Sequence, residues 1–315
     1  MKAIQITHFG GPEVMNYVEL PDPTAQDGEV VLDVTSIGIN YADTHQTENS
    51  YLSQQTLPLI PGIEVTGTVN GKRYLASVSS GGYAQKALAS KFALFPIPDS
   101  VSDQQALCML IQGATAWHLL KTMGQLKEGQ TVVIHAAAGG VGTIAIQLAK
   151  LWGGKVIAVT GNQKKAELAK SLGADEIVSA QEPELAKALR AHNDGKGIDV
   201  ILEMVGGSTF DQSLQALGTF GKLITFGMAS RTPPTPLQPA ALMHGSKTIA
   251  GFWLANCFGK KELMHDVIAE LFELVAVGKL HPVIGNTYPL SEAAAAHREM
   301  LARETVGKIA LDPAR

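Results

Sequence analysis

The sequence predicts an α/β protein in which a doubly wound parallel sheet follows a smaller β-rich unit, and three observations predict it. The first is a strand, glycine turn and helix: an apolar run at 131–135, a turn at 135–142 reading HAAAGGVG, and an amphipathic segment at 143–150. The second is the alternation of strand-like and helix-like patterns from Gly129 to about Gly251, as parallel strands joined by helical crossovers require. The third is the stretch before it, residues 1 to about 100, where short β patterns are punctuated by Gly and Pro.

The turn carries the spacing A-x-G-x-x-G through Ala137, Gly139 and Gly142. Bare backbone can there approach an anion while the N–H groups at the helix start point toward it, so a pyrophosphate fits. A tight turn with no ligand is the alternative. A second apolar run at 155–160 completes a β-α-β unit of about 30 residues, the length of a dinucleotide-binding half.

In chain order, β patterns fall at 2–7, 29–37, 62–70, 72–79 and 83–88. Segments 103–111 and 114–123 read as helices, with Ser102 as N-cap, and form the bridge between two domains. The sheet strands are expected at 131–135, 155–159, 176–178, 199–203, 221–226 and 248–252. An amphipathic helix at 260–277, a helix at 291–303 and a strand at 307–311 close the chain and rejoin the first domain. The expected domains are therefore 1–112 completed by 257–315, and 113–256.

With 315 residues, 45% hydrophobic and 17% charged, the chain has the composition of a globular protein with a large core. A net charge of -4 without a Lys/Arg stripe argues against nucleic acid as a partner. An apolar leader and a run of 18 apolar residues are both missing, so no membrane partner and a cytoplasmic location are expected. Cys108 and Cys257 lack C-x-x-C partners, which excludes a disulfide framework and a cysteine-rich zinc site.

Several motifs in order resemble the medium-chain dehydrogenase/reductase superfamily, and within it the zinc-independent quinone oxidoreductase (zeta-crystallin-like) branch. They are FGGPEV (9–14), GINYADTH (38–45), PGIEVTG (61–67), GGYAQ (81–85), HAAAGGVG, KKAELAKSLGAD (164–175) and GKIAL (307–311). The resemblance implies a GroES-like β-rich catalytic domain built from both chain ends and a Rossmann domain between them, with the nicotinamide in the cleft. It also implies a homodimer formed through cofactor-domain edge strands near 248–252. One departure is visible: after 65–69 the family usually carries a longer loop, whereas here residues 70–76 pass almost directly to the next strand.

Zinc-dependent members hold their metal at places that fall here on Asn40, Ile63 and approximately Ile111. An isoleucine has no lone pair to donate and catalytic zinc needs three protein ligands, so no metal is expected. His118 and His135 are expected to be structural. Without a Lewis acid an alcohol cannot readily lose its hydroxyl proton, which leaves hydride delivery to an acceptor that is already electrophilic: a quinone or another conjugated carbonyl.

The second strand ends at Val159-Thr160-Gly161-Asn162 with no acid to bond a ribose 2′-hydroxyl. Lys165 matches a lysine that relatives place near a 2′-phosphate, and Thr160 and Asn162 can donate hydrogen bonds, so NADPH is expected over NADH. A solvated helix-start lysine is the alternative, and Ala180 stands where relatives often have Tyr or His. The remaining cofactor contacts carried over by resemblance are Asn40, Asp43, Thr115, Gly139, Gly140, Val141, Gly161, Val205, Phe226, Gly227, Met228, Leu254 and Asn256.

Asn40, Asp43, His45 and Tyr51 form the densest polar group of the small domain. By resemblance Asn40 and Asp43 shape the nicotinamide pocket and Tyr51 orients or protonates the acceptor; an imidazole at His45 could supply a proton near neutrality. Plain packing of His45 and Tyr51 in the cleft wall is the alternative. Three functions follow: an NADPH-dependent quinone oxidoreductase, an NADPH-dependent enone, 2-alkenal or enoyl-thioester reductase, and a protein that binds NADPH without turnover.

Overall fold

A computed structural model describes residues 1–50 and 52–315. The chain forms two compact units, one from Met1–Ala114 with Cys257–Arg315 and the other from Thr115–Asn256.

The first unit opens with β1 (Lys2–Gln5) paired antiparallel to β2 (Asn16–Glu19). There follow β3 (Glu29–Gly38), α1 (Tyr41–Glu48), β4 (Glu64–Val69), β5 (Lys72–Ser77), β6 (Lys86–Ser90), β7 (Leu94–Pro96) and α2 (Asp103–Leu107). Along β3 the buried Leu32 and Val34 alternate with exposed Asp33 and Thr35, the period-two pattern of a sheet with one apolar face. The shortened segment after β4 is a hairpin. Asn70 (φ 50°) and Gly71 (φ 73°) are its two connecting residues, and Val69 pairs with Lys72. Two consecutive positive φ values make a type I′ turn, whose twist matches that of the strands it joins.

The second unit carries α3 (Ala114–His118), β8 (Thr131–Ile134), α4 (Gly140–Leu151), β9 (Lys155–Thr160), α5 (Gln163–Ser171) and β10 (Glu176–Ser179). It continues with α6 (Leu185–Ala191), β11 (Ile198–Glu203), α7 (Gly207–Ala216), β12 (Leu217–Thr225) and β13 (Thr248–Gly251). The sheet order is β10-β9-β8-β11-β12-β13, with every neighbouring pair parallel. Helices cover such a sheet on both faces, which is why Val132–Ile134 and Val156–Val159 are unbroken apolar runs and fully buried. The chain winds outward one way from β8 and the other way from β11. The topological switch point therefore lies between these two strands, and ligands of open α/β sheets bind outside the carboxyl ends there.

The chain then returns to the first unit with α8 (Lys261–Ala276), β14 (Ile284–Pro289), α9 (Ala293–Leu301) and β15 (Lys308–Asp312). In α8 the buried Met264, Val267, Ile268, Leu271, Phe272 and Val275 form one apolar stripe. β15 lies between β14 and β3, pairing Ala310 with Gly38. The core packs α9 residues Ala293, Ala296 and Met300 against Ile37, Val65 and Tyr83.

Three details differ from the sequence patterns. The helix α1 was hidden because it buries polar residues, Asp43 to Thr47, and so has no apolar stripe. The expected helices at 103–111 and 114–123 are interrupted by wide turns, Gly113 N–H bonding Cys108 O at 2.9 Å and Gly124 N–H bonding Leu119 O at 2.8 Å. A Cβ on Gly124 would lie 2.7 Å from that same oxygen, so only glycine closes the turn. Finally, β12 starts at Leu217 rather than 221, and β2, β7 and β14 are short or half-exposed strands without alternation. No helix among the described residues is long and apolar enough to cross a membrane.

Candidate active site

At the carboxyl end of β8 the HAAAGGVG turn folds tightly on itself. Ala136 adopts φ 48°, and Gly139 N–H bonds Ala136 O at 2.8 Å. Gly139 is the N-cap of α4, and Gly140 and Val141 form its first turn, where N–H groups have no partner within the helix. A Cβ on Gly142 would lie 2.6 Å from Ala136 O, Ala137 Cα and Ala137 O. Glycine is therefore required for the helix to approach the turn. The resulting row of outward N–H groups suits a pyrophosphate.

At the end of β9, Thr160 is buried and Gly161 exposed. Asn162 caps α5, its Oδ1 accepting from Lys165 N–H at 3.0 Å, so only its amide nitrogen remains to donate outward. Lys165 is half-buried in the first turn of α5. Beside Ala180, Gln181 reaches across and donates from Nε2 to Gly161 O at 3.1 Å.

Beyond β11 the controlling residue is Glu203, which the sequence patterns passed over. It is fully buried, and its Oε1 accepts from Val205 N–H at 2.7 Å and Gly206 N–H at 3.0 Å. Burial raises its pKa while those two N–H groups pull it down, and Oε2 has no partner. Gly206 (φ 84°) and Gly207 (φ 54°) take the left-handed conformations the turn needs. This turn bonds to the next one: Ala229 N–H to Met204 O at 2.9 Å and Ser230 N–H to Val205 O at 2.8 Å. Val205, Phe226, Gly227 and Met228 are thus brought to one carboxyl edge beside the switch point. Thr115 and Leu254 are buried and Asn256 is exposed. His135, whose Nε2 meets Ser213 Oγ at 2.9 Å, is a core histidine held neutral by burial, its pKa pushed down to about 4.

In the first unit, β3, α1, β4 and β15 bring together a buried polar cluster. Asn40 Nδ2 donates to Glu64 Oε2 at 3.0 Å and Lys308 Nζ donates to Asn40 Oδ1 at 2.8 Å. Lys308 also pairs with Glu64 Oε2, and Glu64 Oε1 accepts from Ile111 N–H at 2.9 Å. On the other side, Asp43 Oδ2 accepts from Asn40 N–H and from Tyr83 Oη–H, each at 2.9 Å. Since that bond uses the Tyr83 proton, His297 Nε2–H donates to Tyr83 Oη at 2.9 Å, leaving Nδ1 unprotonated. Burial pushes Asp43 up to about 6 and His297 down to about 3. Glu64, Tyr83 and Lys308 all lie inside motifs that carried the resemblance, yet sequence order alone assigned them no role. His297 had no signal at all.

His45 is buried in α1, its Nδ1 2.9 Å from Ser50 Oγ, which donates onward to Glu48 Oε2 at 3.0 Å. The Ser50 proton being spent on Glu48, His45 Nδ1 carries the hydrogen of that bond. Tyr51 lies outside the described residues. The places where relatives hold zinc do not fit a metal: Asn40 Oδ1 faces the Lys308 ammonium, Ile63 has no donor atom, and Ile111 contributes a backbone N–H to Glu64. No group of three or more His, Cys, Asp or Glu with metal-binding geometry occurs among the described residues.

Comparison with known proteins bears on both units. A family model described as "Alcohol dehydrogenase GroES-like domain" matches residues 26–79, and one described as "Zinc-binding dehydrogenase" matches residues 140–274. The quinone oxidoreductase of Sus scrofa is 32% identical, the alignment covering 99% of this chain and 97% of that protein. Among solved structures, the quinone oxidoreductase from Thermus thermophilus, described with its NADPH complex, is 36% identical with TM-score 0.88, covering 99% of this chain and 100% of that one. The Escherichia coli quinone oxidoreductase complexed with NADPH is 29% identical with TM-score 0.94, at the same coverage. Similarity that runs end to end through both units, over metal places whose donors are gone, makes this chain a member of the medium-chain dehydrogenase/reductase superfamily, in its zinc-independent quinone oxidoreductase branch.

Proposed function

We propose that the protein is an NADPH-dependent quinone oxidoreductase that works without zinc. The observation that carries this reading is the donor set at the metal places, Asn40 against an ammonium with Ile63 and Ile111, which offers no Lewis acid to stabilise an alkoxide. An acceptor for this site must already be electrophilic, as a quinone is. Bound NADPH supplies the hydride; the protein supplies binding, orientation and exclusion of water.

The residues fit that cofactor. N–H groups of Gly140 and Val141, in the first turn of α4, suit a pyrophosphate, the Glu203 turn shapes the neighbouring edge at Val205, and Phe226 to Met228 form the next loop. Gly161, with no acid beside it, leaves room for a phosphate near Lys165 and the capped α5 start. In the first unit, Asn40, Asp43 and His45 are the polar residues we assign to the reacting end. The similarity to quinone oxidoreductases solved with NADPH supports both the cofactor and the acceptor class.

The deciding measurement is steady-state NADPH oxidation with 1,4-benzoquinone, 9,10-phenanthrenequinone and 2-alkenals. Turnover of the quinones is the expected result; turnover confined to alkenals or enoyl thioesters would move the reading to a C=C reductase, and NADPH binding without oxidation would remove catalysis.

We also propose a homodimer formed through β13. This strand is the sheet's edge, and Phe220 (74% exposed) and Met243 (78% exposed) are exposed apolar side chains on the same unit. Sedimentation equilibrium of the wild type and of Ile249→Lys tests it, a monomer in the wild type counting against it.

A further inference from the structure

We propose that Lys308 and Glu64 are positioning residues for Asn40: their buried ion pair fixes the Asn40 carboxamide in one orientation, so that it presents only an N–H donor, suited to a carbonyl oxygen of the reacting molecules. The inference rests on the function proposed above.

A carboxamide is nearly symmetric in shape, and its orientation is set by what its two ends meet. Here both neighbours are unambiguous. An ammonium can only donate and a carboxylate can only accept, so Oδ1 must face Lys308 Nζ, at 2.8 Å, and Nδ2 must face Glu64 Oε2, at 3.0 Å. A flipped amide would set donor against donor and acceptor against acceptor. The penalty for that is large because the cluster is dry: Glu64 is 0%, Lys308 2% and Asn40 4% exposed.

The pair itself cannot swing away. Glu64 Oε1 is held by Ile111 N–H at 2.9 Å. Gly38 presses on the pair from β3, where a Cβ would lie 2.5 Å from Glu64 Oε2 and 2.8 Å from Lys308 Cε. The Asn40 backbone is fixed as well, its N–H bonding Asp43 Oδ2, which Tyr83 holds in turn. One hydrogen of Nδ2 goes to Glu64; the other has no partner among the described residues. A buried N–H needs an acceptor, and a carbonyl oxygen is the group that nicotinamide carboxamides, quinones and enones share.

Replacing one partner of a buried ion pair costs stability, whereas replacing both restores it, and this separates bracing from positioning. Unfolding midpoints, kcat with 9,10-phenanthrenequinone and NADPH affinity are measured for the wild type, Lys308→Met, and Glu64→Gln/Lys308→Met, with Asn40→Ala added to the first and last. Lys308→Met is expected to unfold at lower temperature. The double variant is expected to recover most of that loss while kcat stays down about tenfold, since a glutamine at 64 both donates and accepts and no longer dictates the amide. Asn40→Ala should then cost much less in the double variant than in the wild type.

Wild-type kcat at a recovered midpoint, or an equal cost of Asn40→Ala in both backgrounds, overturns the proposal. If the double variant fails to fold, Lys308→Arg carries the test: the charge is kept but the fork is displaced, so a near-wild-type midpoint with reduced kcat supports positioning, and unchanged kcat refutes it. If the wild type does not oxidise NADPH with quinones, the proposed function falls by itself. Positioning is then judged from the Asn40 side-chain amide signals in NMR, which are expected to exchange slowly in the wild type and to move to solvent-like values in Lys308→Arg; signals that stay put overturn it.

Discussion

Single residues at this site act through the backbone they hold as much as through their own chemistry. Glu203 shows it: one carboxylate oxygen holds two consecutive N–H groups and thereby the turn that carries Val205. Glu203→Ala would leave the buried Gly206 N–H and the half-buried Val205 N–H without this partner, and a loss of about 1–3 kcal/mol in urea unfolding is expected, together with a raised KM for NADPH. Glu203→Gln keeps an accepting oxygen in place and should recover most of both. Lys165, in the function proposed, acts by charge instead. Half-exposed, it is worth less than a buried cation, so Lys165→Ala should raise the KM for NADPH about tenfold and leave that for NADH unchanged. Equal effects on the two cofactors would remove Lys165 from 2′-phosphate recognition.

At the scale of elements, the first β-α-β unit was legible in sequence because glycine spacing and apolar runs are local signals. The structure distinguishes glycines that the motif makes look alike. A Cβ at Gly142 would strike three backbone atoms at 2.6 Å, whereas at Gly161 the nearest atom is Gln181 Nε2 at 3.9 Å. Gly142→Ala is therefore expected to destabilise by more than about 2 kcal/mol and to weaken NADPH binding, since backbone must move. Gly161→Ala should stay within about 0.5 kcal/mol of wild type in the same urea titration. The helix α1 is the opposite case. Its buried face is polar, Asp43 to Thr47, so periodicity gave no sign of a helix where site candidates were concentrated.

Across the whole molecule, buried titratable groups set the acid response. Burial raises Asp43 from 3.8 to about 6, so its contribution to stability is present below 3.8 and is lost as pH rises through 6. His135 and His297 are lowered from 6.5 to about 4 and about 3; theirs is present above 6.5 and lost as pH falls. Between pH 4 and 6 each histidine adds a slope of about 1.4 kcal/mol per pH unit and Asp43 subtracts a similar one. Glu203, which burial also raises, subtracts in the same sense as Asp43, so the histidine contribution is isolated by substitution. His135→Gln, which can keep the bond to Ser213, should lower that slope by about 1.4 kcal/mol per unit in denaturant titrations at stepped pH. An unaltered slope would mean His135 titrates normally in the folded protein.

The sequence by itself determined the parallel sheet, the glycine turn at 135–142 and the missing metal donors at Ile63 and Ile111, because each is written in neighbouring residues. Only tertiary structure decided the rest. Asn40, Glu64 and Lys308 are separated by up to 268 residues, and nothing in their spacing says they meet. β15 brings them together by lying beside β3, after the chain has passed through the entire second unit. Pairing in low dielectric then converts three ordinary polar residues into one fixed donor, a property of burial and contact that no local pattern encodes.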